Sequence, residues 1–409
     1  MEEKIHNIIE DIIVEEIEDS RGNPTISVHI YSSGKSGTFE VPSGASTGAH
    51  EAFELRDEDK KGVKNSIIKI TESIAPAIDG RNIFDQKGID HLMIELDGTK
   101  NKKNLGGNSM IGVSIACAKA AANVKNIQLY EYLRELENIK PSQKIPYLYM
   151  NLINGGKHAK NGLAFQEYHV VPVVKNAGEA VEIGNKIVEV LGQIIRTKYG
   201  DESLVLGDEG GFAPKITNIR EPLVLLSDAI EAAGLKGRVR LALDVAASSF
   251  FENGKYKIGD DLITKEALME IYKNLMTEFN LLSIEDPFDE EDFESFKILK
   301  ELYPDLKVVG DDLTVTNVER LKEAIEKKSI NAMIVKPNQV GTLTETLATM
   351  KLARENNIDL IVSHRSGETE DTFIADLAYA FGTFGLKSGA PGKKERKVKY
   401  DRLIEISKK

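Results

Sequence analysis

Six apolar runs in the second half of the chain close on charged or polar side chains. VRLALD ends on Asp244, LLSIED carries Glu285, KVVGDD carries Asp311, AMIVKP carries Lys336, LIVSHR ends on His364 and Arg365, and FGLKSG carries Lys387. Placing unpaired charges beside apolar runs is costly unless they serve a purpose. Three carboxylates from three separate runs are hard oxygen ligands of the kind that suit Mg²⁺, and no Cys/His cluster has zinc spacing. A lysine near Mg²⁺ and a second cation loses its proton more easily, which suits a general base. The chemistry implied is metal-assisted proton abstraction.

Side chains so far apart in sequence need a scaffold that gathers them. Each run is followed by a polar loop and then a helical stretch, the rhythm of parallel βα units. Eight candidate strands are present: 147–153, 168–174, 239–244, 281–286, 307–312, 332–337, 360–365 and 384–389. Eight is the number that closes a β/α barrel, in which the C-terminal strand ends share one face and build the active site. The first two follow each other with no helix between them, so the start of the barrel is irregular. Ahead of it lies a segment of mixed character. EEIEDSRGNPTISVHIYSS reads as two strands around a turn at Arg21–Pro24, followed by helices near 62–75, 84–95 and 108–123 and a short one at Leu129–Leu136. ENIKPSQKIP reads as a linker, which divides the chain into an α+β domain, 1–143, and a barrel domain, 144–409.

A length of 409 residues, 41% hydrophobic and 29% charged, fits two folded domains and excludes a disordered chain. A net charge of −12 argues against nucleic-acid partners, and no apolar run is long enough to cross a bilayer. The acidic N-terminus has no leader pattern, which gives a cytoplasmic expectation. Cys117, alone in SIACAKAA, reads as a buried helix residue and not a nucleophile.

Three polar loops add to the set. LGDEGGFAP offers Asp208 and Glu209 before a Gly pair, NGGKHAKNGLAFQE offers His158, Gln166 and Glu167, and VPSGASTGAHE is a Gly/Ser/Thr loop suited to an anion or a metal. The chain resembles the enolase family nearly end to end, through DSRGNPT (19–25), VPSGASTGAHEA (41–52), LGGNSMIGVS (105–114), NLINGGKHA (151–159), GDEGGFAP (207–214), LALDVAASSF (241–250), SIEDPF (283–288), GDDLTVTN (310–317), VKPNQVGT (335–342), SHRSGETED (363–371) and KSGAP (387–391).

The resemblance implies a capping domain before a barrel of order ββαα(βα)6, and Mg²⁺-dependent dehydration of 2-phosphoglycerate to phosphoenolpyruvate. It implies two Mg²⁺ ions per site: one on Asp244, Glu285 and Asp311, the other reached by Ser46 on a mobile loop. Lys336 is then the base at C2, with Lys387 facing the substrate carboxylate. Glu209, helped by Glu167, protonates the departing hydroxyl, and Arg365 and Ser366 grip the phosphate with His364 and His158 nearby. A cytoplasmic homo-oligomer, a dimer or ring of dimers, in glycolysis and gluconeogenesis is further implied.

Plainer readings stand beside these. Asp244 and Glu285 taken singly read as helix caps, and Lys336 as a structural ion pair. His6, His29, His91 and His169 read as surface or strand residues without a role, Asp208 and Asp312 as neighbours of functional acids, and His50 as an aid to loop closure. A racemase or cycloisomerase of the same superfamily tends to carry Lys-x-Lys on the second barrel strand, where YHVVPVVK has only Lys175. A non-catalytic binding paralogue would not need both base and acid. Departures from the family pattern fall at Pro337 and at Gly392–Lys394, before Glu395 and Arg396.

Overall fold

The computed structural model describes residues 7–44, 48–140 and 144–408. Three antiparallel strands open the chain: β1 (Asp11–Glu18), β2 (Pro24–Ser32) and β3 (Lys35–Glu40). The third was not expected. It follows β2 through Ser33 and Gly34, both at positive φ (51° and 67°), as a two-residue hairpin turn requires. The expected helix over 62–75 is α1 (Lys64–Lys69), a π turn (Ile70–Ile74) and α2 (Ala75–Ile78) in succession. Pro76 explains the break, because it has no N–H to return to the carbonyl four residues earlier.

After α3 (Gln86–Asp97) comes α4 (Gly107–Lys125), buried along most of its length. Its small residues let the sheet lie directly on the helix backbone. A Cβ at Gly37 on β3 would stand 2.1 Å from the Ala120 amide nitrogen. Cys117 is buried in α4, and burial pushes its thiol up, which removes the nucleophilic thiolate. The segment closes with α5 (Leu129–Glu137).

The barrel begins with β4 (Tyr147–Asn154) and β5 (Glu167–Pro172), then the helices α6 (Ala177–Tyr199) and α7 (Glu221–Ala232). Next is β6 (Val239–Asp244), followed by a small three-stranded sheet, β7 (Phe251–Glu252), β8 (Lys255–Ile258) and β9 (Asp261–Ile263), and α8 (Lys265–Phe279). Five further units follow: β10 (Ser283–Glu285) with α9 (Phe293–Leu302), β11 (Lys307–Gly310) with α10 (Val318–Glu326), β12 (Ala332–Val335) with α11 (Leu343–Glu355), β13 (Asp359–Ser363) with α12 (Phe373–Phe381), and β14 (Gly385–Lys387) with α13 (Lys394–Ser407). The eight barrel strands close in the order β10-β11-β12-β13-β14-β4-β5-β6. The order is ββαα(βα)6, as the resemblance implied. Among the described residues no helix is long and apolar enough to cross a membrane.

Strand β5 runs antiparallel to both neighbours. Its first residue therefore lies at the face where the other strands end. Register pairs Glu167 with Asp244, and Asp244 with Glu285, so three acids stand in one row across three strands. Below this row the barrel interior is mostly apolar, filled by Tyr149, Val171, Ala242, Val309, Ala332, Ile334 and Ile361, with His169 and Ser283 level with Ala242. The two-residue repeat of a strand links the two levels: Ala242 lies two below Asp244, Val309 two below Asp311, and Ile334 two below Lys336.

The two parts of the chain are joined at the mouth. Ser43 and Gly367 form an antiparallel bridge, and Arg365 pairs with Glu51 at 2.9 Å. Lower down, Asp90 of α3 accepts from the Thr344 amide at 2.9 Å and so caps α11 from the other domain.

Candidate active site

Lys387 stands at the centre of the acid row. Its Nζ lies 2.9 Å from Asp244 Oδ2, 2.9 Å from both Glu285 oxygens and 3.3 Å from Glu167 Oε2. Burial pushes the ammonium down, but Asp244, Glu167 and Glu285 outweigh it and hold the lysine well above its ordinary value. Glu285 moves the other way. Burial, and then its neighbour Asp244, raise its carboxyl well above the usual range. Gln166 adds a 3.4 Å contact to Asp244 Oδ2.

The second group surrounds Asp311, just beyond β11. It pairs with Lys336 Nζ through Oδ2 and accepts from Gln339 Nε2 at 2.9 Å through Oδ1. Asp286 orients this turn by accepting the Asp311 amide at 2.9 Å and the Asp312 amide at 2.7 Å. Lys336 was expected to lose its proton easily. Here burial does act to lower its pKa, but the Asp311 carboxylate prevails and holds the lysine above its ordinary value. Arg365 and Lys387 push against that hold, and Glu285 adds to it.

On the other wall, Glu209 accepts from Asn151 Nδ2 at 2.9 Å. Its Oε1 lies 3.4 Å from His364 Nε2 and 3.5 Å from His158 Nδ1, and the same His158 nitrogen is 3.4 Å from Glu167 Oε1. The two acids are driven apart. Burial, and then Glu209, raise Glu167 well above the carboxyl range. For Glu209 burial also acts upward, but His364, His158 and Arg396 overcome it and hold the group well below that range. The resting proton of this pair therefore sits on Glu167, and Glu209 is ionised. His169, which sequence reasoning left without a role, donates or accepts at 2.8 Å to Glu167 Oε2 inside the barrel. It is fully buried, and burial takes its pKa down to about 3.

At the rim, Arg365 lies 3.0 Å from Asn338 Oδ1 as well as against Glu51. The Ser366 hydroxyl accepts from Arg21 Nη1 at 3.3 Å, and Arg21 is itself held by Asp19 at 3.0 Å and by the Ser43 hydroxyl at 2.9 Å. The turn read from DSRGNPT is thus part of the site's rim. A Cβ at Gly367 would stand 2.1 Å from Asp19 Oδ2 and 2.4 Å from Arg21 Nη2, so a side chain there would push this pair out of place. Ser46 lies outside the described residues, as does His6. His50 pairs with Glu291 at 2.7 Å on the loop before α9.

One pocket is lined by His158, Glu167, Glu209, Asp244, Asp311, Lys336, His364, Arg365, Ser366 and Lys387, nearly all the site residues expected from sequence. Asp244 and Glu285 meet at one atom, Lys387 Nζ, while Asp311 is turned toward Lys336. Among the described residues, two groups of potential ligands lie within reach of a single ion: Asp286, Asp311 and Asp312, and His158, Glu167 and Glu209. The oxygen donors of Asp286, Asp311 and Asp312 suit a hard cation such as Mg²⁺, whereas Asp244 and Glu285 belong to neither group. The buried carboxylates are oxygen-only, and Glu285 and Asp312 are both pushed up by burial and neighbouring acids, Asp312 to about 8, which marks a volume short of positive charge. Asp286, Gln339, Glu51, Arg21, His169 and Arg396 were not singled out from sequence for the site. Asp286 and Gln339 could have been found, since they stand one and three residues beyond Glu285 and Lys336.

The chain is similar to known proteins along nearly its whole length. The family model described as "Enolase, N-terminal domain" matches residues 9–133, and that described as "Enolase, C-terminal TIM barrel domain" matches residues 142–409. The chain is 48% identical to an enolase of Methanocaldococcus jannaschii over 97% of its own length and 94% of the relative's. It is 45% identical to enolase B of Dictyostelium discoideum and 45% identical to an enolase of Thermococcus kodakarensis, each over 97% of this chain and 94% of the relative.

Proposed function

The chain belongs to the enolase family, and on that premise we propose that it is a lyase that reversibly dehydrates 2-phosphoglycerate to phosphoenolpyruvate. The observation that carries the reading is a single pocket lined by both Lys336 and Glu209, with Asp244 and Lys387 in the same lining. An elimination across two carbons needs such an arrangement: a base for the C2 proton and a separate acid for the C3 hydroxyl.

Lys336 removes the C2 proton. That proton is barely acidic, because its loss builds a second negative charge on the substrate carboxylate. Asp244, Glu285 and Asp311 would hold one Mg²⁺ ion and Ser46 would reach a second, and the bound ions would supply positive charge against the substrate carboxylate and phosphate. Lys387 faces the same carboxylate and strengthens its hold as the charge grows. Neutralising Asp311 weakens what keeps the proton on Lys336, and Arg365 and Lys387 then favour its neutral form. Glu209 protonates the departing hydroxyl, which leaves as water. Its proton comes from Glu167, which burial and Glu209 hold well above the usual carboxyl range, with His158 Nδ1 standing between the two acids at 3.4 and 3.5 Å. Arg365 and Ser366 bind the phosphate, with His364 alongside.

Arg365 and Ser366 favour a phosphorylated substrate over the carboxylates of racemases and cycloisomerases, and a binding paralogue would need neither Lys336 nor Glu209. The reading extends to a cytoplasmic homo-oligomer, a dimer or ring of dimers, in glycolysis and gluconeogenesis, with a capping domain at 1–143 and a barrel domain at 144–409. The test is turnover of 2-phosphoglycerate, followed by ultraviolet absorbance of the enol product with Mg²⁺ and with chelator. Mg²⁺-dependent product is expected. Folded protein that yields none overturns the reading.

A further inference from the structure

Helix α13 carries most of a basic run, KKERKVKY. Two of its cations are fully buried one turn apart, Arg396 and Lys399. Arg396 Nη1 lies 2.6 Å from His364 Nδ1 and donates at 2.6 Å to the Arg365 carbonyl. Its Nη2 donates to the carbonyls of Ser366 at 2.7 Å and Asp208 at 3.3 Å. One guanidinium thus joins the 364–366 loop to the loop that bears Glu209. Lys399 holds the far end of the first loop through Glu368 at 2.8 Å, whose other oxygen accepts the Arg365 amide at 3.2 Å.

A guanidinium has donors and no acceptor. His364 Nδ1, facing one, presents its lone pair, and the ring proton is therefore on Nε2, the nitrogen 3.4 Å from Glu209 Oε1. We infer that Arg396 is a positioning residue for the reaction: it fixes the tautomer of His364, so that a neutral ring turns its Nε2 proton toward Glu209, 3.4 Å away. The inference rests on the reading of Glu209 as the group that exchanges a proton with the C3 hydroxyl. In the other tautomer Nε2 would turn a lone pair on the ionised carboxylate and repel it.

The surroundings are shaped for the pair. Gly389 is at φ +68°, and a Cβ there would stand 3.1 Å from His364 Cε1 and 3.2 Å from Arg396 Cδ. The charged and titratable groups facing His364 are Glu209, Arg396, Glu368 of its own loop and, further away, His169 of β5. Burial lowers the His364 pKa to about 4 together with the Arg396 charge, against the upward pull of Glu209.

The test is nitrogen NMR of the Mg²⁺-loaded enzyme with ¹⁵N-labelled histidine, the His364 signals assigned by their absence from His364→Asn. An unprotonated Nδ1 and a protonated Nε2 are expected from neutral pH down to about pH 5. A protonated Nδ1 at neutral pH overturns the inference, and this readout needs no turnover, so it is decided separately from the substrate assignment. Arg396→Gln is expected to lower kcat about 10- to 100-fold with little change in KM, as loss of an orienting partner does. Its acid limb of kcat should move up by about one pH unit or more, since the ring is freed to protonate, and Arg396→Lys should restore part of the loss. A lower kcat with an unmoved acid limb and unchanged ring signals would make Arg396 a packing residue only and overturn the inference. If the variants do not fold, the spectrum of the native enzyme decides alone.

Discussion

The inside of the barrel has two storeys that obey opposite rules. The lower one, with Tyr149, Val171, Val309, Ile334 and Ile361, is mostly apolar, with His169 and Ser283 as its polar exceptions. The upper one, two residues further along the same strands, packs Glu167, Asp244, Glu285, Asp311, Lys336 and Lys387 into a volume of similar width. Acids outnumber cations there, and several carboxyls are pushed far from their ordinary values. The floor lowers the free energy of the fold. The mouth raises it and is tolerated for its chemistry. A strand can serve both because its side chains repeat every two residues, so one backbone path carries a core residue and then a reactive one.

The largest effect separating the storeys is expected at Lys336. Lys336→Ala should lower turnover by about 10⁴-fold and stop exchange of the C2 proton with solvent, while the melting temperature hardly moves. Glu209→Gln should slow dehydration yet leave some exchange. Normal exchange in Lys336→Ala would show that the base has been misassigned. The reverse pattern is expected on the floor. Ile361→Ala should cost about 2 to 5 kcal/mol in denaturant unfolding with turnover per folded molecule nearly kept. A loss of activity larger than the loss of stability would show that the two storeys are not separable.

A smaller effect concerns acid. His169 and His364 are held neutral to about 3 and about 4, whereas in the unfolded chain they take protons near their usual value of about 6.5. Their folded pKa values are depressed, so their contribution to stability is present above about pH 6.5 and is lost as pH falls toward those lower values. Each should add a slope of about 1.4 kcal/mol per pH unit between roughly pH 6 and pH 5. Unfolding curves of the wild type and His169→Gln over that window measure it, and equal slopes would refute the neutral assignment of His169. The smallest effect is expected from Glu285→Gln. With chelator present the variant should be no less stable than the wild type, because the carboxylate it replaces is opposed by burial and by Asp244. Mg²⁺ should then no longer raise its melting temperature as it does that of the wild type. A clear destabilisation in chelator would place Glu285 among the residues that hold the fold.

The mouth was more legible in sequence than the connections around it. Asp244, Glu285, Asp311, Lys336 and Lys387 each follow an apolar run, and that break in hydropathy is visible in one dimension. Strand direction is not. Glu167 precedes its run, and only the reversal of β5 brings it level with Asp244, a fact that depends on pairing across the barrel. β3 escaped notice because KSGTFE is short and polar, although Ser33 and Gly34 before it are turn-formers. Arg396 and Lys399 were hidden by their charge. A signal did exist, since both lie on the same buried stripe of α13 as Tyr400, Leu403 and Ile406, where a basic residue needs a reason. His169 was lost for a similar cause: a histidine in an alternating strand gives no sign of whether its side of the sheet is wet or buried.

The joint at the mouth also bears on how such a protein is inherited. Glu51 from one domain neutralises Arg365 from the other, and Ser43 completes a bridge with Gly367. Gene fusions readily recombine units whose seams are plain, but a barrel transferred without its cap would lose the carboxylate that faces Arg365 and sever a strand bridge at its most sensitive point. Neither half is a free building block, and lineages that exchange one are expected to exchange both.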